Sequence, residues 1–599
     1  MEQTVYPERW NLDSLYAGGS KSAAFASELA GMETDIDAVT KQLKQASSVQ
    51  DAPSKEELSS WTAQIQSVLI RLRQTESFVS CLLAQQMKDT AAIELNDKVK
   101  TIAAKFNSAL TLFDEQLMQA ADGAWEEWLQ TEEASPVAFV LRERRATAKE
   151  KLAPAMEALA GELAVDGYHG WGDFYNTIVS RTRFRWTAED GTEQLLSAGQ
   201  MHNKLSDGNR EVRAAAFAEW EREWGEQAEL CAEVLNRLAG FRLKWYEKRG
   251  WPSVMKEPLQ MNRMSEATLA AMWKAVEEGK PALVRYLERK AQLLGVEKLD
   301  WHDVEAPIGT AASTVPYSEG AAFIMEQFRR FSAKLADFSA VAFRDGWIEA
   351  EDRPGKRPGG FCTAFPLSNQ TRIFMTYSGT ASNVSTLAHE LGHAYHQHVM
   401  DGMPPFAQEY AMNVAETAST FAELIVSDSA MVAAADPQER LVLLEDKLQR
   451  STAFFMNIHA RYLFERRFYE QRRNGMVDHE QLCKLMEEAQ REAFCGVLGD
   501  IHPHFWASKL HFYLTDVPFY NFPYTFGFLF SSGIYAIAKR EGAGFSERYD
   551  ALLRDTGIMT VEELAEKHLG VRLDEPEFWR GAVALMAEDV EVFLQMTDK

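Results

Sequence analysis

Apolar residues recur at steps of three and four over much of the N-terminal part of the chain, the spacing that places side chains on one face of an α-helix. Residues 61–81 and 137–163 show it most clearly, and the whole stretch 22–165 predicts successive amphipathic helices. Further on, Asp207-Gly208-Asn209 can cap a helix that continues to Lys248, and Ser265 can cap another. The pattern predicts a mainly α-helical protein.

Two stretches break the helical pattern. Residues 175–186 alternate β-branched and aromatic residues with polar ones, and Glu189-Asp190-Gly191 follows as a turn, so we predict a short hairpin there. Residues 347–378 contain three strand-like runs separated by turn-forming residues, which predict a small antiparallel β-sheet. A boundary at the hairpin would divide the chain into an N-terminal helical domain, 1–190, and a second domain, 191–599.

Composition narrows the range of partners. With 599 residues and 46% hydrophobic side chains, the chain can bury a large core, and its length favours two or more domains or one large helical body. A formal charge of −25 disfavours nucleic acid and anionic membranes as partners, because both bind surfaces rich in lysine and arginine. No apolar run approaches the length that spans a bilayer, and no secretory signal is expected.

The cysteines indicate the compartment. There are five, an odd number, and their spacing matches no zinc finger. Scattered unpaired thiols suit a reducing environment, so we interpret all five as ordinary thiols and expect a cytoplasmic protein. They are Cys81, Cys231, Cys362, Cys483 and Cys495.

The segment 386–398, TLAHELGHAYHQH, carries the chemistry around which the second domain is organised. Residues four apart share a face of a helix, so His389 and His393 can offer imidazole nitrogens to one metal ion. Glu390 would lie beside the open position of that metal, where a general base for water is needed. The pattern predicts one catalytic Zn²⁺ per chain. The alternative is a solvent-facing helix that happens to carry two histidines.

A catalytic zinc needs a third protein ligand. In one known arrangement a glycine lies seven residues, and a third histidine ten residues, after the first histidine. Here these two positions hold His396 and Val399, which excludes that arrangement. The other option is a glutamate from the following helix.

Three glutamates are candidates for that ligand: Glu409, Glu416 and Glu423. Glu416 is favoured because apolar residues precede it in the middle of a helix, where a carboxylate without a cation is costly to bury. Glu423 lies two helical turns later on the same face and can orient a ligand histidine. Glu416 as an ordinary solvated residue is the alternative.

Several separated segments together resemble the M3 family of metallopeptidases, most closely its oligoendopeptidase F branch. They are TLAHELGHAYH, the VAETASTFAE segment around Glu416, the later HFYLTDVPFYNFPYTFGFLFS, the opening PERWNLDSLY and the GKRPGGFC stretch. Because they lie in the same order along nearly the whole chain, the resemblance is far more specific than the histidine motif alone. Phe522 and Thr376 depart from the branch at positions where tyrosine and asparagine are expected.

The resemblance implies a two-lobed, mainly helical fold that encloses a deep channel. It also implies an enzyme that cuts short peptides rather than folded proteins. It further implies that His389, His393 and Glu416 bind zinc and that Glu390 is the catalytic base. The zinc metallopeptidase domain would then be 191–599.

The predicted sheet lies immediately before the helix of the histidine motif. An exposed edge strand beside the metal can hold an extended peptide by main-chain hydrogen bonds. Residues 371–377 or the Gly359-Gly360 stretch can serve this purpose. The predicted substrate contacts are therefore Gly359, Gly360 and Tyr377. The alternative is that the two glycines only form a turn.

Attack on a peptide carbonyl produces an oxyanion that needs hydrogen-bond donors. The segment 511–528 offers His511, Tyr520 and Tyr524 as donors, with Tyr513 in reserve. The resemblance to the M3 family also implies that a histidine and tyrosines from a late loop have this role. Prolines within it disfavour a regular helix, so a loop is predicted. The alternative is an aromatic core cluster.

These features predict a zinc-dependent endopeptidase that hydrolyses internal bonds of short oligopeptides by metal-activated water, with oligomeric state left open. One rival is a zinc carboxypeptidase, in which Arg372 or Arg461 would hold the substrate carboxylate. Another is a noncatalytic, zinc-stabilised peptide-binding protein, which Glu390 argues against because a structural site needs no base.

Overall fold

The computed structural model describes residues 5–48, 51–188, 190–309 and 314–598, the side chains of residues 154, 155 and 543 excepted. About 71% of the protein is helical, which confirms the predicted fold class. In chain order the helices up to residue 300 are α1 Ala23–Ser47, α2 Lys55–Gln85, α3 Thr90–Gln119, α4 Asp122–Trp128, α5 Ala138–Glu150, α6 Pro154–Ala164, α7 Gly170–Arg181, α8 Ala198–Lys204, α9 Arg210–Lys248, α10 Lys256–Met261 and α11 Glu266–Leu294.

The remaining elements include five short strands. The later helices are α12 Tyr317–Phe331, α13 Ala333–Arg344, α14 Ala381–Val399, α15 Met412–Ala433, α16 Pro437–Thr452, α17 Ile458–Arg472, α18 His479–Ala493, α19 Phe505–Ser508, α20 Phe522–Glu541, α21 Ser546–Asp555, α22 Val561–Leu569 and α23 Pro576–Thr597. The strands are β1 Phe184–Thr187, β2 Glu193–Leu196, β3 Ile348–Glu349, β4 Phe361–Phe365 and β5 Gln370–Phe374.

The chain forms two compact units. Unit 1 contains Met1–Glu150, Ser313–Ser429 and Ile537–Gly570, and unit 2 contains Lys151–Ala312, Ala430–Ala536 and Val571–Lys599. Each unit is therefore assembled from three separate stretches of sequence. This division differs from the predicted domains 1–190 and 191–599. Those two domains and the enclosed channel stay predictions.

The core of unit 1 extends from the N-terminal helices to the sheet that precedes α14. The apolar faces of α1 to α5 pack together, as the three- and four-residue spacing predicts, and Phe365 and Phe374 from β4 and β5 are buried in the same cluster. Burial of these rings fixes the sheet against the helices, because each large aromatic side chain contributes a few kcal/mol of hydrophobic stabilisation, about 2 on average.

The sheet has the strand order β3-β5-β4, so β5 is central and β4 lies at an edge. β4 and β5 pair antiparallel, from Phe361 opposite Phe374 to Phe365 opposite Gln370. The small sheet was predicted at this place, but β3 pairs with β5 in parallel, so the sheet is mixed. Strand order depends on how the chain returns after β3, which residue alternation does not encode.

The predicted hairpin is present but begins later than expected. Tyr175 and Ile178 are buried on one face of α7, so the N-terminal half of the alternating stretch is helical. The hairpin itself pairs β1 with β2, from Phe184 opposite Leu196. Of the predicted turn residues, Glu189 lies outside the described residues.

Within the described ranges, no helix combines the length and apolar character that crossing a bilayer requires.

Candidate metal centre

The helix that carries the histidine motif, α14, begins with a well-formed cap. The Thr380 hydroxyl accepts a hydrogen bond from the backbone N–H of Asn383 at 3.1 Å. The Asn383 side chain in turn accepts from the backbone N–H groups of Ser378, at 2.8 Å, and Thr380, at 3.4 Å. Such reciprocal capping satisfies amide groups that a helix leaves free at its start. Thr380 is thus the capping residue, and Asn383 is the third residue inside the helix.

Gly392, in the middle of α14, lets α15 approach closely. A Cβ atom at this position would lie 2.4 Å from the carbonyl oxygen of Ala418 and 2.6 Å from the Cα of Ser419. Only glycine therefore allows this contact between the two helices. Gly392 is absent from the residues predicted above, although a glycine inside a helix often marks a close approach.

This approach brings the three predicted ligands together. The Nε2 atoms of His389 and His393 lie 3.3 and 3.6 Å from the same carboxylate oxygen of Glu416. The donor atoms of all three residues lie within 4.8 Å of one another. Two imidazoles and one carboxylate at such separations match the donor set of a catalytic zinc site. The residues present therefore fit the metal that the sequence predicts.

Neighbouring groups orient these donors. His389 Nδ1 lies 3.2 Å from the carboxylate of Glu423, which leaves Nε2 for a metal. The hydroxyl of Ser419 donates to Glu416 at 2.8 Å. Glu423 therefore holds the position predicted for a residue that orients a histidine ligand.

The electrostatics of the donors also suit a metal. Burial lowers the pKa of His393, to about 4, so its ring is neutral and has a lone pair available at neutral pH. Burial opposes ionisation of Glu416, but the hydrogen bond with His389 and the nearby histidines outweigh it, and its pKa falls below the usual range. The site thus holds a neutral imidazole and an ionised carboxylate, the protonation states that metal binding requires.

Glu390 differs from Glu416 in its surroundings. Its side chain is 6% exposed, and its Oε2 atom has no hydrogen-bond partner among the described residues. Burial raises its pKa to about 7. A carboxyl group with a pKa near the working pH can both accept and return a proton, as a general base must.

A cleft of about 350 Å³ opens beside these residues. It is lined by His389, Glu390, His393 and Glu416 together with residues 360–364, which include most of β4. A second groove, of about 610 Å³, shares Thr363, Ala364, Gln397 and Tyr410 with it. The edge strand of the sheet thus borders the candidate metal centre.

The three predicted substrate contacts have different surroundings. Gly360 lines the cleft, and a Cβ there would lie 3.4 Å from a carboxylate oxygen of Glu390. Gly359 has a positive φ of 91°, which favours glycine for the turn before β4. Tyr377 is buried, and its hydroxyl donates to the carbonyl of Val315 at 2.9 Å. Residues 371–374 belong to the central strand β5, so β4 is the strand whose edge faces the cleft. Substrate binding by Tyr377 stays an untested prediction.

The remaining candidates named from the sequence have other partners. Glu409 forms a salt bridge with Arg73 instead of joining the histidines. His396 is fully buried, and its Nε2 lies 2.9 Å from the hydroxyl of Thr556. Arg372 is also fully buried and donates to backbone and side-chain oxygens around Asn11, so it has no free face for a substrate carboxylate.

In unit 2, the structure brings His511, Tyr520 and Tyr524 together. The rings of His511 and Tyr520 lie 5.3 Å apart, and the Tyr524 hydroxyl donates to that of Tyr520 at 3.1 Å. All three side chains are partly exposed, whereas Tyr513 is buried and stacks on Tyr175. Burial, followed by the charges of two nearby cations, lowers the pKa of His511 to about 4, so it is neutral at neutral pH.

The backbone of this segment is more regular than predicted. Helix α20 begins at Phe522, so Tyr524 is in its first turn and Tyr520 precedes it. Pro523 is compatible with this because the first turn of a helix needs no internal N–H donors. Phe519, before Tyr520, has a positive φ of 53°, and its N–H donates to Glu465 at 3.2 Å.

A second group of possible ligands, Asp300, His302 and Asp303, also lies in unit 2. Arg210 and Arg213 donate to Asp303, and Arg210 also donates to Asp300. These carboxylates are already neutralised by guanidinium groups, so the group is better described as an ion-pair network.

Comparison with known proteins yields matches over most of the chain. A family model described as Peptidase family M3 matches residues 204–585, and one described as Oligopeptidase F matches residues 116–184. Oligoendopeptidase F of Lactococcus lactis subsp. cremoris is 24% identical over 69% of this chain and 68% of its own. The structure of oligoendopeptidase-F from Enterococcus faecium superimposes with a TM-score of 0.71 at 17% identity, over 96% of this chain and 98% of the other. A Chlamydophila abortus structure gives a TM-score of 0.84 at 16% identity over 98% of both chains.

Proposed function

The chain belongs to peptidase family M3, in its oligopeptidase F branch, and from this premise we propose that it is a zinc-dependent endopeptidase that cuts internal bonds of short oligopeptides. The observation that carries the proposal is the meeting of His389, His393 and Glu416 beside the unpartnered carboxylate of Glu390. A purely structural zinc site would have four protein ligands and no adjacent base.

His389, His393 and Glu416 would hold the zinc. When bound, zinc supplies a Lewis acid that polarises a carbonyl and makes water a stronger acid. Glu423 keeps His389 in the tautomer that presents Nε2, through the contact of its carboxylate with Nδ1.

Glu390 acts as the proton carrier in this proposal. Its raised pKa lets the carboxylate accept a proton from the attacking water and afterwards deliver it to the leaving amine. Because Oε2 accepts no hydrogen bond from the described residues, no donor at this atom stabilises the charged form and offsets the rise in pKa that burial causes.

The peptide would lie along β4. A substrate in extended conformation can add a strand to the free edge of β4, with main-chain hydrogen bonds that do not depend on its sequence. Gly360 supports this because it lines the cleft immediately before β4, beside Glu390.

His511, Tyr520 and Tyr524 would donate hydrogen bonds to the oxyanion, as the family resemblance implies. A neutral imidazole and two phenols can do so without adding fixed charge. This assignment depends on the proposed function and on the family's use of a late segment.

The experiment is cleavage of a quenched fluorescent peptide blocked at both ends, with and without a zinc chelator. An endopeptidase cuts the blocked peptide, and the chelator abolishes cleavage. A carboxypeptidase leaves the blocked peptide intact, and a noncatalytic peptide-binding protein binds it without cutting.

The unpaired cysteines keep the cytoplasm as the proposed compartment.

A further inference from the structure

Unit 2 contains a cavity of about 80 Å³ that the proposed catalytic steps do not use. Aromatic rings form much of its wall, and two cationic side chains, Arg461 and Lys509, complete it. The aromatic residues are Phe217, Trp301, Phe494 and Phe505. Apolar walls around paired cations form an environment in which a bound anion interacts strongly.

The two cations converge on one ring. The guanidinium carbon of Arg461 and the ammonium nitrogen of Lys509 each lie 5.1 Å from the centroid of Phe505. Both cations therefore lie near Phe505 in the wall of the same cavity.

Neither cation has an acidic partner in salt-bridge contact within the described part of the chain. Arg461 donates to two neutral oxygens, Asn457 Oδ1 at 2.8 Å and Asn521 Oδ1 at 3.1 Å. The ammonium group of Lys509 makes no hydrogen bond or ion pair there. Glu305 also lines the cavity, but it is exposed to solvent and bonds to neither cation. The wall therefore carries a net positive charge.

Burial leaves both cations poorly solvated, and the charge of the exposed Glu305 offsets this only in part. Burial, then the charge of Arg461, lowers the pKa of Lys509 to about 8, and burial lowers the pKa of Arg461 to about 10. Both shifts mean that the charged forms are poorly solvated where they are. An anion in the cavity would reverse these shifts.

His302 adds a further polar group to the wall. It is buried, and neither ring nitrogen has a hydrogen-bond partner among the described residues, although Nε2 lies 3.6 Å from a carboxylate oxygen of Asp303. Buried polar groups without partners are uncommon in folded proteins, and a ligand in the cavity would provide one.

We propose that this cavity is a subsite for a carboxylate of the peptide substrate, held by Arg461 and Lys509. The inference rests on the proposed function for the identity of the ligand as a peptide. The size agrees, since one water needs about 10–15 Å³ on the same scale, so the cavity accommodates a small ionic group but not a whole residue.

The position within unit 2 also agrees. Lys509 precedes His511 by two residues, and Arg461 is hydrogen-bonded to Asn521, which follows Tyr520. A carboxylate in the cavity would thus be bound next to the side chains proposed to act on the substrate. Its source is either the C-terminus of the peptide or an aspartate or glutamate side chain.

The test compares two pairs of peptides. One pair differs only in a free or an amidated C-terminus, and the other pair, amidated throughout, differs only in glutamate or glutamine at one position near that end. We expect the wild-type chain to favour the carboxylate form of at least one pair by about tenfold or more in kcat/KM, since hydrogen bonds to charged groups contribute more than neutral ones. The pair that responds identifies the source.

The variants assign this preference to the cavity. In Lys509→Met the preference should fall to below about threefold, while Lys509→Arg should retain most of it. Lys484→Met is the matched control, because Lys484 is exposed on α18 in the same unit, and its preference should equal that of the wild type. Equal rates for both forms of both peptide pairs in the wild type, or an unchanged preference in Lys509→Met, would overturn the subsite.

Direct binding separates this inference from the proposed function. Fluorescence anisotropy of the labelled peptides on the full-length Glu390→Gln protein needs no cleavage. Tighter binding of the carboxylate form, lost in the added Lys509→Met change, supports the subsite even if no peptide is cut. Cleavage without any discrimination between the forms supports the peptidase and rejects the subsite.

Discussion

The candidate metal centre in unit 1 and the His511–Tyr524 segment in unit 2 are built in contrasting ways. The proposed metal ligands project from two regular helices, α14 and α15. The aromatic segment instead follows the short helix α19 and combines a 3₁₀ turn at Leu510–Phe512 with a residue of positive φ, Phe519, before α20 begins.

The difference lies in what determines each geometry. On a helix, the four-residue spacing alone places His389 beside His393, so local sequence suffices. In the irregular segment, backbone conformation depends on distant partners such as Glu465, which accepts from Phe519 N–H, and Arg461, which donates to Asn521. Substitutions at the first site should therefore change chemistry, and substitutions around the second should also change conformation.

The largest expected effect is that of Glu390→Gln, which removes the base and keeps the shape. Loss of a general base typically lowers the rate by about 10²–10⁴-fold. We expect kcat to fall in this range while metal content, measured by atomic emission, stays at the wild-type level. Nearly unchanged kcat with metal bound would show that Glu390 is not the base.

The Tyr520→Phe/Tyr524→Phe double variant tests the aromatic segment. Removing an oxyanion donor typically costs about 10²–10³ in kcat, so we expect a loss of about 10²-fold with little change in metal content. Tyr513→Phe is the matched control, since Tyr513 is buried and stacks on Tyr175, and its kcat should stay within about threefold of the wild type. Equal effects of the double variant and the control would leave the tyrosines with a packing role only.

Gly392→Ala tests the close approach of the two helices. The added methyl group would meet the backbone of α15 at 2.4 Å, so the helices must separate. Overpacking of this kind costs about 1–3 kcal/mol of unfolding free energy, and we also expect weaker metal binding because Glu416 moves away from the histidines.

Gly161→Ala is the control for that substitution. Gly161 is inside α6 with no atom within 4 Å of the added Cβ, so the change should be neutral or stabilise by up to about 1 kcal/mol. Urea unfolding measures both variants. A stable Gly392→Ala protein with normal metal affinity would contradict the proposed contact.

Glu465 provides a pH-dependent test with the smallest expected effect. Burial, only partly offset by Arg242, raises its pKa to about 8, compared with about 4.3 in an unfolded chain. The folded state then binds more protons than the unfolded state between these values, so stability is full below pH 4.3 and falls as pH rises towards 8. The slope contributed by this group is at most about 1.4 kcal/mol per pH unit.

Glu465→Gln should remove that contribution, since its amide oxygen can still accept from Phe519 N–H but does not ionise. We expect the variant to lose less stability than the wild type between pH 5 and 8 in urea unfolding. Glu470→Gln, at an exposed site on α17, should follow the wild-type curve. Parallel curves for Glu465→Gln and the wild type would show that Glu465 does not titrate in this range.

The features on regular helices are also the ones that the sequence predicts best. His389, His393, Glu416 and Glu423 could be assigned from helical spacing and motif, and the structure brings all four together. The choice of Glu416 over Glu409 follows from position on an apolar helix face, and Glu409 is in fact paired with Arg73.

Other features could not be predicted because they depend on partners far along the chain. Alternation of residues identifies the strands near residue 360 but not the order that places β4 at the edge. The prolines around Tyr520 suggest a loop, yet Pro523 fits the first turn of α20. The carboxylate subsite combines α17, α19 and the residues after it, which no local motif connects.

The most direct test of the central claim is an anomalous diffraction map of zinc-loaded crystals, measured on both sides of the zinc absorption edge. We predict one strong peak bonded to Nε2 of His389, Nε2 of His393 and a carboxylate oxygen of Glu416. A main peak at Asp300, His302 and Asp303, or one that lacks Glu416 as a ligand, would contradict the account.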